Sequence, residues 1–399
     1  MPEVFTVTVG HENADMTGGT NAVIQEAIER AAAAGPGVVK ILPGKYVMND
    51  SLHLRSGVTV EGSGEETVLW MPDGVASALS LYAGYGHYDV SVAEPEKFHV
   101  GMGIMISDDS SGGFYNTVAS VVGKYGDTLV IDRMLNHDYT VWQHASAVSS
   151  YPIISGIGVE KACVRNLAIN GNASGNSYID GCRSGGVFLL QCRDTTLSGL
   201  RVADYNGDGI SFQQCVDILI EDCACENCQG HGLHPGSGSV GAVIRGFSGV
   251  NNGADGLFFC LRATRLLVEN SAFCGNKGQG ISVGHRDTDI EIRNCRIEDN
   301  GLYGVFFRNG SPALNGSRTL IAGCLIKGNL AQKGEVGIFF RSKAEDVYIF
   351  DNTGGGADAS EADYLSGVTF GPPPEGYSFS AAYKDERELD HLGPWRRNS

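Results

Sequence analysis

Residues 232–236, GLHPG, belong to a series of like segments: 186–190 GVFLL, 209–213 GISFQ, 256–260 GLFFC, 280–284 GISVG, 304–308 GVFFR and 337–341 GIFFR. The opening glycines recur every 23 or 24 residues until the last interval, which carries an insertion. The first and third residues after each Gly are apolar throughout, from Val187 and Leu189 to Ile338 and Phe340. Period-two alternation places this set on one face of a short strand. No such strand can bury that face alone, so successive coils must stack, and a fixed period of this size marks a solenoid. A leucine-rich horseshoe would need a Leu-rich consensus and a helix per repeat, and neither is present. The repeats therefore predict an all-β, single-stranded parallel β-helix.

Two further columns keep the same period. Cys223, Ser271, Cys295 and Cys324 share one, with Phe247 in the remaining coil, and read as an internal stack. Asn227, Asn252, Asn276, Asn300 and Asn329 form the other, and Asn at a repeated bend suits left-handed backbone geometry. Residues 21–34, NAVIQEAIERAAAA, read as an amphipathic helix capped by Thr20 or Asn21 and stopped by Gly35, placed to cover the open end of the solenoid. The expected organisation is a cap with first coils over 1–74, a β-rich insertion over 75–150, the main β-helix over 151–355 and a tail over 356–399. The tail ends basic, WRRNS, and is expected to pack on the outside or cap the far end.

Bulk properties narrow the function classes. Hydrophobic residues make up 42% of the chain, enough for a long core, so 56 Gly against 12 Pro signals neither collagen nor disorder. A net charge of −17 argues against a nucleic-acid binder. No stretch reaches membrane-spanning length, so no membrane partner is expected, and MPEVFTVTVG shows no basic region followed by an apolar run. The 11 Cys include one C-x-x-C, Cys225 and Cys228, with no second pair to answer it, so no metal set is assigned.

The chemistry-bearing residues concentrate at outward positions of the coils. The residue before Gly gives Asp208, His231 and Asp255; the second after Gly gives His234, Phe258 and Phe306; the fourth gives Gln213, Arg308 and Arg341. His285 and Arg286 follow the strand from Gly280. Coils spaced roughly 4.8 Å apart would align Asp208, His231 and Asp255 along the axis. Phe258 and Phe306, taken as exposed, would offer platforms for sugar rings. The expected catalytic set is thus His234, His231, Asp208, Asp255 and His285, with Gln213, Phe258, Arg286, Arg308, Arg341 and Phe306 binding substrate.

The opening helix, the phrase SLHLRSGVTVEGSG at 51–64 and the coils together resemble the pectate-lyase-like superfamily of right-handed parallel β-helices, over most of residues 18–355. Residues 231–236, HGLHPG, resemble the Tyr-Gly-Phe-Asp-Pro-His stretch of alginate C5-epimerases, with His231 in place of Tyr, His234 in place of Asp and Gly236 in place of His. Residues 206–210, NGDGI, and 230–232, GHG, resemble the Asn-Thr-Asp-Gly and Gly-His-Gly of polygalacturonase-type hydrolases, without their Asp-Asp pair. The resemblance implies a carbohydrate-active enzyme on an acidic, uronate-containing polysaccharide or oligosaccharide. Its reaction would be C5 proton abstraction by His234 or His231, as in a lyase or epimerase, with an Arg fork on the carboxylate. The alternatives are an inverting hydrolase using Asp208 and Asp255, two coils or roughly 9.6 Å apart, and a non-catalytic glycan-binding or adhesin β-helix. No cofactor is required; Ca²⁺ accompanies resembling lyases. The resemblance implies a monomer or a side-by-side homotrimer.

Overall fold

A computed structural model describes residues 4–309, 316–331, 334–335, 337–354, 356–375 and 377. The coils form parallel sheets around one continuous core. One face, called the site face below, is a ten-stranded parallel sheet. Its strands run in chain order: Leu52–His53, Ile154–Ile157, Val187–Leu190, Ile210–Gln213, Leu233–Gly236, Leu257–Phe258, Ile281–Val283, Val305–Phe307, Ile338–Phe340 and Ala357–Ala359. The apolar alternation seats Val187, Leu189, Ile210, Phe212, Leu233, Leu257, Phe259, Ile281, Val283, Val305 and Phe307 in the core with no exposure. The coil continues beyond residue 355: Ala357–Ala359 pairs with Ile338–Phe340, and Val368–Thr369 pairs with Val347–Phe350. The basic end of the tail lies outside the described residues.

The helix Asn21–Ala34 buries Ile24, Ala27, Ile28 and Ala31 in the same core as the first coils, so it closes the N-terminal end. Thr20 is its N-cap, and Gly35 ends it at φ 107°, a conformation that favours glycine. Between residues 76 and 148 the period is lost because the chain builds a separate antiparallel sheet of six strands with its own core around Ile104, Ile106, Leu129 and Tyr139. Ser146–Val148 closes that sheet, and Ile154–Ile157 then returns to the site face beside Leu52–His53.

The Asn column differs from its expected role. Asn252, Asn276, Asn300 and Asn329 are fully buried and hydrogen-bond in a ladder, each amide Nδ2 donating to the next Oδ1 at 2.8–2.9 Å. Each Oδ1 in turn accepts the backbone N–H of the preceding coil, as Asn276 does from Asn252 at 3.0 Å. Asn227 is one residue out of register; its equivalents are Asn251, Gly275, Asp299 and Gly328, which hold the left-handed bend at φ 55–67° together with Asn227 at 56°. The bend and the buried ladder are thus adjacent columns, and only the bend needs left-handed geometry.

Candidate functional site

The outward column of the site face follows from strand register. His53 pairs with Ser155, Ser155 with Phe188, Phe188 with Ser211 and Ser211 with His234; further on, Phe258 pairs with Ser282, Ser282 with Phe306 and Phe306 with Phe339. His234 therefore stands where the alternation puts it, on the outer side. It is nevertheless buried, at 3% exposure, because the loop between Gly171 and Gly186 folds over it. Ser211 Oγ donates to Gly181 O at 2.6 Å, and a Cβ on Gly181 would collide with Asp208 and stand 2.7 Å from His234 Nδ1.

The column before Gly does align along the axis, as a ladder of side chain to backbone. Asp208 Oδ1 accepts the His231 N–H at 2.7 Å, and His231 Nδ1 accepts the Asp255 N–H at 3.1 Å. Asp255 Oδ1 accepts the Gln279 N–H at 2.7 Å, and Gln279 Oε1 accepts the Tyr303 N–H at 2.9 Å. Each side chain thereby satisfies a donor of the next coil, which is where such turn donors must find partners once buried. Asp208 spends its second oxygen on His234 Nδ1, at 2.6 Å. With each oxygen hydrogen-bonded and 1% exposure, the Asp208 carboxylate is closed off from the solvent water it would have to activate. The expected pairing of Asp208 with Asp255 as two hydrolytic carboxylates is corrected on that ground.

Electrostatics follow the burial. Desolvation would raise Asp208, but His231, His234 and the hydrogen bonds they make hold its carboxyl below the ordinary range. Burial would lower His234, but Asp208 and Cys260 beside it raise it to about 10. His231 is lowered by burial against the opposing pull of Asp208 and Asp255, and Asp255 is raised by burial.

The remaining expected residues divide. His231 stacks on Phe258 at 4.2 Å, and the Arg308 guanidinium lies over the same ring at 4.0 Å. Arg308 donates to the carbonyls of Phe259 and Cys260 at 2.5 and 2.8 Å and stands 3.7 Å from the buried Asp287. Arg308 thus ties three coils together and is not an open carboxylate fork. Phe258 and Phe306 are not exposed platforms, because Phe306 stacks on Tyr303 and Phe339 as Phe258 does on His231. Arg341 is exposed and lies 5.3 Å from the Phe306 ring. Gln213 is fully buried under Gly236, donating to Ser211 Oγ at 3.2 Å, so it cannot meet substrate. His285 and Arg286 are exposed at a bend with positive φ, and among the described residues no side-chain contact joins either to His231 or His234.

Two groupings arise that the repeats do not announce. The first is a cleft of about 260 Å³ between the inserted sheet and the N-terminal part of the site face. Its chemistry comes from Asp50, His53, Ser120, Arg133 and Arg183. His53 Nε2 is 3.6 Å from Asp50 Oδ2 and 3.5 Å from Ser120 Oγ, and Ser120 Oγ donates to Asp50 Oδ2 at 2.5 Å. Arg183 donates twice to Phe114 O, at 2.9 and 2.7 Å, and its guanidinium sits 5.2 Å from the Phe114 ring. Among the described residues no carboxylate lies within salt-bridge reach of Arg183, and burial pulls its pKa down. The second grouping is Cys182, His234 and Cys260, which bring one ligand atom each within 4.8 Å of the others. Cys260 occupies a site-face column and is visible in the sequence; Cys182 lies in the loop that breaks the period.

A family model, right handed beta helix region, matches residues 146–258 and 185–354, together more than half of the chain. No curated protein sequence matches it. Among solved structures, the A-module of the Azotobacter vinelandii mannuronan C-5 epimerase AlgE6 aligns with a TM-score of 0.52 at 16% identity, over 88% of this chain and 84% of that one. A protein named glycoside hydrolase aligns at 0.53 and 8% identity, over 89% of this chain and 96% of that one. ORF18 of Geobacillus virus E2 aligns at 0.50 and 11% identity, over 89% of this chain and 62% of that one. At such identities the likeness is one of fold. With the family match, the ten-stranded site face and the coil register, the chain belongs to the right-handed parallel β-helix family.

Proposed function

We propose that the protein is a carbohydrate-active enzyme that binds an acidic, uronate-containing glycan in the cleft beneath the inserted sheet and abstracts the proton at C5. The observation that carries this is Arg183. Among the described residues its guanidinium hydrogen-bonds only the Phe114 carbonyl, and a half-buried guanidinium so placed is costly to hold without an anion. It lines a cleft with a second guanidinium, Arg133, in a protein of net charge −17. Planar guanidinium groups suit a carboxylate ligand.

Removal of the C5 proton of a uronate leaves charge on its carboxylate, so the reaction needs a cation there and a base beside it. Arg183 and Arg133 supply the first. His53 supplies the base, oriented by Asp50. The proton passes from C5 to the imidazole; cleavage of the C4–O bond, with that proton returned from the imidazolium to the leaving oxygen, then gives an unsaturated product and a free hydroxyl, whereas protonation of C5 by water from the opposite face gives the epimer and leaves the imidazolium to lose its proton to solvent. The acidic groups around the cleft are otherwise engaged. Asp50 accepts from Ser120 Oγ and the Ser51 N–H, and Asp132 accepts from the Ser120 N–H and pairs with Arg133. That leaves little support for a two-carboxylate hydrolysis. The fold neighbours include a protein named as an epimerase and one named as a glycoside hydrolase, so both chemistries occur on related frames.

The test is incubation with oligouronates in D2O, following the absorbance of unsaturated uronate and deuterium at C5 by NMR. Either signal is expected, together with its loss in His53→Ala. New reducing ends without either signal would mean hydrolysis, and saturable binding with no turnover would mean a glycan-binding module; both outcomes overturn the proposal.

A further inference from the structure

We infer that Cys182, His234 and Cys260 form a binding site for a soft divalent metal of the Zn²⁺ class, which clasps the loop carrying Arg183 onto the site face. The three ligand atoms lie within 4.8 Å of one another. Tetrahedral zinc with bonds of about 2.0–2.3 Å to nitrogen and sulfur would draw its ligands to roughly 3.5–3.8 Å. The observed grouping therefore needs a small inward adjustment of side chains and no rearrangement of the coils.

A second observation points to the same ligand. His234 is 3% exposed, its Nδ1 is taken by Asp208 Oδ2 at 2.6 Å, and its Nε2 has no hydrogen-bond partner among the described residues. A buried imidazole nitrogen normally has a partner. A carboxylate on one ring nitrogen with the other left for a metal is the outer-shell arrangement that orients histidine ligands. Asp208 is itself fixed by the His231 N–H at 2.7 Å, so the imidazole is held by the coil ladder and cannot swing away.

The three ligands come from three separate segments of the chain. His234 and Cys260 stand on successive coils of the site face, and Cys182 belongs to the overlying loop. That loop is tied down by Ser211 Oγ to Gly181 O at 2.6 Å and by Arg183 to Phe114 O. A metal bound to Cys182 would fix its neighbour Arg183 at the cleft. Two thiolates and an imidazole select zinc or a softer ion over Ca²⁺ or Mg²⁺, which want oxygen. Three protein ligands leave a fourth position for water. This inference does not rest on the proposed reaction, since the metal can be detected without a substrate.

The full chain is stripped with chelator under reducing conditions, then titrated with Zn²⁺ and, separately, with Co²⁺. The expected results are one equivalent bound, a thiolate-to-cobalt charge-transfer band with tetrahedral d–d intensity, and a raised unfolding temperature. Cys182→Ala and Cys260→Ala should each abolish the band, while Cys163→Ser, half-buried outside the grouping, should keep it. Asp208→Asn should keep the stoichiometry and weaken binding about 10–100-fold. Circular dichroism of each variant checks that the coils persist; if a Cys→Ala variant unfolds, the cobalt spectrum of the intact chain with Cys182 alkylated replaces it. Absence of the charge-transfer band in the reduced wild-type chain overturns the inference. So does a Cys182–Cys260 disulfide that persists in the metal-loaded protein.

Discussion

Asp208 and His234 meet at 2.6 Å beneath the loop of Gly181, on adjacent coils, with both side chains almost wholly shielded from water. One carboxylate thus joins two coils twice, through the His234 imidazole and through the His231 N–H. Removing one partner of a buried charged pair leaves the other uncompensated. Asp208→Ala is expected to destabilise metal-free protein by about 3–5 kcal/mol, read from urea unfolding. Asp208→Asn keeps an acceptor for the His231 N–H and should cost less. A loss for Asp208→Ala within error of wild type would show that the pair carries no stability.

Gly181→Ala tests how closely the loop is applied. Its Cβ would overlap the Asp208 carboxylate and lie 2.7 Å from His234 Nδ1, with a rigid ladder behind both. The loop must lift, and Arg183 must leave the cleft with it. The expected result is weaker binding of acidic oligosaccharides with little change in the coil circular dichroism, measured by calorimetric titration.

Arg183→Ala should reduce kcat/KM on oligouronates by about 10–100-fold, the worth of a lost charge-assisted hydrogen bond of roughly 1.5–3 kcal/mol. Arg183→Lys keeps the charge without the planar fork and should recover part of the loss. Equal activity on neutral and acidic oligosaccharides in the wild-type enzyme would remove the reason for assigning this role to Arg183.

Much of this frame was legible in the sequence, and the limits have physical causes. Gly186 to Gly337 mark the coils because each opens a strand whose alternation is fixed by the core, and core demands repeat. The outward column was placed in the right register, yet outward did not mean exposed. Phe258 is covered by His231 and Arg308, and His234 by a loop with no period. The Asn column was misread by one residue at Asn227, since a left-handed bend and a buried amide ladder both favour Asn. The cleft was invisible for a different reason. Asp50 comes from an early coil, Ser120 and Arg133 from the inserted sheet and Arg183 from the loop before Val187–Leu190, and only the docking of the inserted sheet brings them together. Cys182 escaped notice likewise, because nothing in the repeat relates it to Cys260.

The Asn ladder predicts a position-specific penalty. Asn276 donates to Asn300 Oδ1 and to Gly249 O, each at 2.9 Å, and accepts from Asn252. Asn276→Ala strands several buried groups, each worth about 1–3 kcal/mol when unsatisfied. The expected loss is at least about 2 kcal/mol by chemical denaturation. Asn227→Gly, at the neighbouring left-handed bend, should be nearly neutral, since glycine adopts φ 56° readily. A reversed order of the two would place the structural demand in the bend column.

Asp108 links acid stability to the cleft. Its Oδ1 accepts from the Ser110 N–H and hydroxyl at 3.0 and 2.8 Å and the Ser111 N–H at 2.8 Å, while Oδ2 accepts the Thr140 N–H at 3.0 Å. Burial alone would raise its pKa, but these bonds outweigh it and leave the carboxyl below its ordinary value. A depressed folded-state pKa contributes stability that is present above the unfolded value of about 3.9 and is lost as pH falls through the folded one. The inserted sheet should therefore weaken below about pH 4, and Asp108→Asn should be less stable at neutral pH with a shallower acid limb. The turn that Asp108 holds leads to Phe114, whose carbonyl receives Arg183. Loosening it should therefore also lower affinity for acidic oligosaccharides at neutral pH, in parallel with the loss of stability in the inserted sheet. Unchanged affinity in a demonstrably loosened Asp108→Asn protein would show that Arg183 is positioned by the loop of Gly181 and Cys182 and not by the inserted sheet.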